Sequence, residues 1–187
     1  ALPFNLNSGK FLQYMKLSSQ FSHIGIKRGD ESPDIFEENN FQVLSYRFYG
    51  YRLLRRGMKD VGYRRGFILD MNYRNTPWGG LNEIYSVELN VFAPGILRHH
   101  SMEGYIGRQW RSVNDLHFSN LIASPRGFGG YNEAYFWTFQ FDYRFPIAYP
   151  DVNIGPFVYI QRIKAGLLYD FASVDGDPAE AKYYESK

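Results

Sequence analysis

The amino-acid sequence predicts an all-β fold, an antiparallel transmembrane β-barrel of which about seven to eight long strands are visible. Three observations predict it. Aromatic residues make up 19% of the 187 residues (16 Tyr, 16 Phe, 3 Trp), yet mean hydropathy is −0.41. Many aromatics in a polar chain call for elements with two unlike faces rather than one shared interior. Two-residue alternation also runs through 131–145, with Glu133 and Phe136 out of pattern, longer than the ~5–6 residues of a soluble strand and than the ~9–11 that a tilted strand needs to cross lipid. Finally, no run approaches the ~18 apolar residues of a membrane-spanning helix. A barrel strand keeps a low average hydropathy because lipid-facing and water-facing residues alternate.

The elements follow in chain order. Segments 11–21 and 41–55 alternate irregularly. In 67–74, Phe67, Leu69, Met71 and Tyr73 alternate with Ile68, Asp70, Asn72 and Arg74, and in 85–91, Tyr85, Val87, Leu89 and Val91 alternate with Ser86, Glu88 and Asn90. Segment 98–111 is another irregular example. In 131–145 the odd positions include Tyr135, Trp137, Phe139, Phe141 and Tyr143, and the even ones Thr138, Gln140, Asp142 and Arg144. In 157–171, Phe157, Tyr159, Ile163, Leu167, Tyr169 and Phe171 share one face, while Arg162, Lys164 and Asp170 share the other. Residues 182–187 read as the start of an eighth strand. With 131–145 descending from outside, the outer loops become 28–40, 75–82, 113–130 and 172–182, and the inner turns 56–62, 94–97 and 146–156. Outer-membrane barrels pair long external loops with short periplasmic turns. A soluble lipocalin-like or jelly-roll barrel is the alternative. It would leave the aromatic band exposed or cover it with a partner, and would set Asp70, Glu88, Asp142, Arg144, Arg162 and Lys164 on the opposite side.

Several function classes are disfavoured. There is no cysteine, so thiolate metal sites and disulfide frameworks are out. The net charge of +2, with Lys and Arg dispersed, argues against nucleic acid as a partner. His99 and His100 are adjacent, so on a strand they point to opposite faces and do not share one ion; His23 and His117 have no ligand spacing with them. Ser101 lacks a nucleophile elbow, and Gly127–Gly130 lacks the Lys-Ser/Thr of a phosphate loop. No catalytic residue, metal or cofactor is expected, and an outer-membrane hydrolase at Ser101 and His100 is the remote alternative. Trp78, Trp110 and Trp137 are read as membrane-interface anchors, and the acidic 30–38 segment as a solvated external loop.

One stretch resembles a known family. Ser124-Pro125-Arg126-Gly127-Phe128-Gly129-Gly130, in the longest loop, resembles the Arg-Gly-Phe/Tyr loop motif of the BamA-like outer-membrane barrel superfamily. Phe141-Asp142-Tyr143-Arg144-Phe145-Pro146-Ile147 resembles its acidic-x-Arg-x-Pro strand ending, and Leu168-Tyr169-Asp170-Phe171-Ala172 its aromatic-x-Asp-x-Gly strand motif. Pro94–Ser101 resembles a bacterial surface-antigen subgroup often fused to periplasmic propeller domains. The motif-bearing likeness covers about 94–171. Ala172 stands where the family's Gly is expected, and Asp142 where Glu is commoner.

The resemblance implies a barrel of about sixteen strands, of which 1–187 is a segment, in the bacterial outer membrane. It implies action in membrane-protein insertion and assembly or polypeptide translocation. It also implies that loop 113–130 folds back into the lumen, with Arg126, Gly127 and Phe128 set against Asp142 and Asp170. The expected partners are outer-membrane lipid and lipopolysaccharide, periplasmic accessory domains or unfolded outer-membrane clients, and the missing strands or a partner chain. A structural or surface-binding barrel that transports nothing is the principal alternative.

Overall fold

The computed structural model describes residues 1–26, 39–78, 83–112, 118–127 and 133–175. Among these residues every regular element is a strand: β1 (Leu2–Asn5), β2 (Phe11–Ile26), β3 (Asn39–Leu54), β4 (Gly66–Asn75), β5 (Glu83–Pro94), β6 (Ser101–Arg111), β7 (Tyr135–Ala148), β8 (Val152–Ile154), β9 (Val158–Ile160) and β10 (Ile163–Asp175). Eight form one antiparallel sheet in the order β1-β2-β3-β4-β5-β6-β7-β10, and β8 pairs with β9 separately. The described sheet is open, with β1 and β10 at its edges.

Successive side chains of a strand point to opposite faces, and the pairing keeps like with like across the sheet. Leu17, Phe48, Met71 and Val87 are opposite one another on consecutive strands, as are Leu69, Leu89, Ile106, Phe139 and Phe171. A third row is aromatic throughout: Tyr46, Tyr73, Tyr85, Trp110 and Tyr135. Tyr73 and Tyr85 stack with ring centroids 4.5 Å apart, and Arg108 lies over both Trp110 (4.6 Å) and Tyr135 (5.1 Å). This apolar face is broadly exposed, with Leu17 at 53% and Leu167 at 69%. The other face carries Lys16, Ser18, Arg47, Asp70, Glu88, Gln109, Thr138, Asp142 and Asp170 on the alternate positions. The small buried core lies on this polar side, where Ile84, Phe136, Gln109 and Thr138 are fully buried and Ile122 nearly so.

Seven expected strands are found, with shifted ends, and three features differ. β1 was not anticipated; it is four residues long and pairs with β2 through Leu2↔Leu17. The expected strand at 157–171 is divided. Val158–Ile160 pairs with Val152–Ile154 in its own hairpin, turned by Gly155 (φ 63°), and the sheet strand starts only at Ile163. Phe157, Tyr159 and Arg162 therefore do not continue the two faces of β10, whereas Leu167, Tyr169, Lys164 and Asp170 do. The strand expected from 131 begins at Tyr135. The suggested eighth strand at 182–187 lies outside the described residues, as do most of the loop calls at 28–40 and 172–182.

Gly66 starts β4 at φ 142°, and a Cβ there would sit 2.2 Å from the Arg52 carbonyl oxygen. Both the conformation and the contact exclude a side chain. Gly66→Ala is expected to destabilise the protein by about 2–4 kcal/mol, measured as a lowered midpoint in urea unfolding followed by tryptophan fluorescence.

Candidate functional site

The strand β6 ends at Arg111, and residues 118–127 of the connection to β7 lie against the polar face. Arg111 anchors its entry and exit, donating from Nη1 to the Phe118 carbonyl and from Nε to the Glu133 carbonyl, both at 2.9 Å. From there 118–127 descends over β5, β6, β7 and β10, held mainly through its own backbone. Leu121 N–H donates to Gln109 Oε1 (2.7 Å), Ala123 N–H to the Tyr105 hydroxyl (3.0 Å), and Gln140 Nε2 donates to the Ser124 carbonyl (3.1 Å). Gln109 also donates to Asn120 Oδ1 (2.9 Å). Ile122 is the loop's buried apolar contact, and it packs where Gly107 leaves room: a Cβ on Gly107 would be 3.1 Å from that of Ile122 and 2.5 Å from the Tyr105 hydroxyl.

The descent ends at Arg126. Its Nη2 donates to Asp142 Oδ1 at 2.7 Å, its Nε lies 3.1 Å from Asp170 Oδ2, and its backbone N–H donates to the same Asp170 oxygen at 2.9 Å. The planar guanidinium thus spans carboxylates from two adjacent strands, as its rigid fork allows. Asp142 is shared with Arg144, which also reaches Glu103 at 2.9 Å, so five charged groups form one chain: Asp170, Arg126, Asp142, Arg144, Glu103. Asp170 Oδ1 is buried without a hydrogen-bond partner; the carboxylate therefore depends on Arg126 for its compensation. Gly127 follows at φ 83°, a conformation favoured by glycine.

The residues singled out from sequence are thus brought together in part. Arg126, Gly127, Asp142 and Asp170 converge, and Phe128 lies outside the described residues. Trp110 and Trp137 are on the apolar face, Trp110 in the aromatic row beside Tyr135 (5.7 Å) and Trp137 one row inward against Phe171 (5.3 Å). Trp78 stands beyond the end of β4, edge-on to Phe21. Sequence reasoning missed Tyr105, Gln109 and Gln140, which grip the loop backbone, and Glu103, which pairs with Arg144. A signal was present: Gly107 in a strand interior marks a close approach by other backbone.

The opposite end of the sheet carries a second knot. His99, with φ 68°, bonds Asp60 through Nδ1 (3.0 Å); Val61 N–H donates to the His99 carbonyl, and Arg162 Nη1 to the Asp60 carbonyl (2.9 Å). This joins the 55–65, 95–100 and 149–162 connections. His100 instead meets the Tyr143 hydroxyl at 2.7 Å, so the two histidines serve different partners. Ser101 is buried beneath Gly62. Among the described residues no group of acidic, His or Cys side chains could hold a metal ion. Burial pushes the Asp60 carboxyl up, but the His99 hydrogen bond, the Gly57 N–H and the Arg64 charge together outweigh it and hold the pKa below the usual carboxylate value.

No family model, curated protein or solved structure matches the chain.

Two expected outcomes follow from the two knots. Arg126→Ala is expected to remove about 1–2 kcal/mol from loop closure, seen as roughly 5- to 30-fold faster amide exchange at Leu121 and Ala123 with unchanged exchange in β4 and β5. Because the Asp60 pKa is lowered on folding, its stabilisation is fully present above the usual carboxylate range and is lost as pH falls through the lowered value. An acid titration of unfolding stability should accordingly be shallower in Asp60→Asn than in the parent.

Proposed function

We propose that this chain is a section of an outer-membrane β-barrel of BamA-like type, acting in membrane-protein insertion or polypeptide translocation. In this reading its apolar face meets lipid and its polar face lines a water-filled interior. The observation that carries the functional part is the Arg126 loop, laid along the polar face and clasped by Asp142 and Asp170. A loop held by ion pairs whose arginine stays half-exposed, and by side-chain amides, is strong enough to have a resting position and weak enough to leave it.

Dimensions support the membrane reading. From Tyr135 to Phe145 the apolar positions of β7 span ten residue steps, or about 33 Å of strand at ~3.3 Å per step; a tilt of about 40° reduces this to about 25 Å, the height of an outer-membrane apolar band. The aromatic row from Tyr46 to Tyr135 would lie at one boundary of that band, with Trp110 in it and Trp78 beyond. Aromatic rings favour this headgroup level. An open sheet edge is not tolerated in lipid, so β1 and β10 would be closed by further strands or a partner chain.

The test is reconstitution of the full-length protein in planar bilayers. Conductance is expected, with Arg126→Ala increasing the open fraction and impairing assembly or export while heat-modifiable barrel migration persists. A protein that neither inserts nor conducts, or an Arg126→Ala form with unaltered conductance and loop exchange, would falsify the reading.

A further inference from the structure

The polar face has two halves with the same kind of lining and different occupancy. Over β5, β6, β7 and β10 the chain itself supplies an extended segment, 118–127, gripped by side-chain amides and hydroxyls. Over β2, β3 and β4 a cavity of about 740 Å³ remains, bordered on the loop side by Phe118 and Ser119. Its floor repeats the same chemistry in register: Ser18, Arg47 and Asn72 are opposite one another, and Gln20, Ser45 and Arg74 form the next row.

Charge separates the two halves. The covered half mixes carboxylates (Glu88, Glu103, Asp142, Asp170) with cations (Arg111, Arg144, Lys164 and Arg126 of the loop), whereas the described residues lining the cavity include Lys16, Arg47 and Arg74 and no carboxylate. Lys16 and Arg74 reach into it, and among the described residues neither has an ion-pair partner. Arg47 is engaged on one side by Asp70 through Nε (2.9 Å) and Nη2, and a guanidinium has five donors, so others stay available. Like positions on one face of a strand repeat every two residues, about 6.6–6.8 Å. An extended polypeptide presents its own groups at the same interval.

We infer that the β2–β4 half of the polar face is a docking site for an acidic polypeptide segment in extended conformation. Lys16 and Arg74 take its carboxylates, while Gln20, Asn72 and Ser45 serve its backbone as Gln109 and Gln140 serve the loop. The contact is made by side chains on the face of the sheet, so it needs no free sheet edge. It rests on the barrel reading only in that a segment in transit would reach this face through the interior.

The test uses the protein in detergent micelles and fluorescence anisotropy of a labelled peptide of alternating Glu and Ser. Binding is expected to weaken with salt and to be absent for the Lys–Ser peptide of equal length. The Lys16→Gln/Arg74→Gln double variant should bind at least about tenfold more weakly, and Lys164→Gln, on the same face outside the cavity, should bind as the parent does. Should the double variant fail to fold, Ser45→Cys provides a second measurement, because the chain has no other cysteine. A thiol-reactive Glu–Ser peptide should label it faster than its Lys–Ser counterpart. Equal binding of both peptides, unchanged affinity in the double variant, or displacement by inorganic phosphate or an anionic glycan at matched charge would overturn the site. Bilayer conductance is measured separately, so peptide binding without conductance defeats the transport reading alone, and conductance without peptide binding defeats the site alone.

Discussion

Register is the constraint on which the rest of this structure depends. From β2 to β7 the pairing runs without a bulge, and most cross-strand rows keep apolar residues on one face and polar ones on the other, with Arg52 and Arg108 on the apolar face and Ile84 and Phe136 on the polar one among the exceptions. A slip of one residue in any strand would exchange its faces; in β7 it would bring Asp142 level with Met102 or Gly104 and with Leu167 or Tyr169 on the apolar face, and turn Phe139 toward the polar one. The strength of the pattern is collective, since no single pair in these rows contributes more than about 1 kcal/mol. The one register shift among the sheet pairings comes at Ile163/Lys164, where β10 joins the sheet after the separate hairpin.

Concentrating polar groups on one face creates a problem that the structure solves locally. Asp70 and Glu88 are directly opposite on adjacent strands, an arrangement that repels. Arg47 covers Asp70 from one side, with Asn72 donating to it at 3.1 Å, and the Tyr105 hydroxyl donates to Glu88 at 2.8 Å from the other. Tyr105 also accepts from Ala123 of the loop. The same hydroxyl therefore relieves a half-buried carboxylate and positions the segment above it. Further down, Arg126 and Arg144 play the corresponding role for Asp142, Asp170 and Glu103.

These arrangements explain what could be read from sequence. The faces of β4, β5 and β7 were legible because alternation is a property of each strand alone. The convergence of Arg126 with Asp142 and Asp170 was legible only through the motif resemblance, since spacing says nothing about which loop crosses which strand. Gln109, Gln140 and Tyr105 were invisible as binding groups because an uncharged polar residue at an inward position looks the same whether it meets water or backbone. The Val152–Ile160 hairpin was misread for a related reason. Its second strand alternates in phase with β10, and a strand that pairs with a local partner has the same pattern as one that extends the sheet. Gly155-Pro156 was the available turn signal, and it lay at the end of the expected inner turn.

The division of the polar face into a half of mixed charge beneath the loop and a cationic half beside it has a mechanical consequence. With the loop seated, Arg126 offsets the charge of Asp142 and Asp170, and the covered half presents little net field to its surroundings. If the loop leaves, Asp142 and Glu103 retain Arg144, Asp170 loses its ion-pair partner, and the vacated surface becomes more anionic than before. An acidic segment held at Lys16 and Arg74 would then be repelled from the newly exposed half, whereas a basic segment would be drawn into it. Loop position and the charge of whatever occupies the face are thereby coupled through ordinary Coulomb forces, which remain appreciable at such separations where low-dielectric walls limit screening. That coupling requires no conformational change in the sheet, only the movement of one arginine.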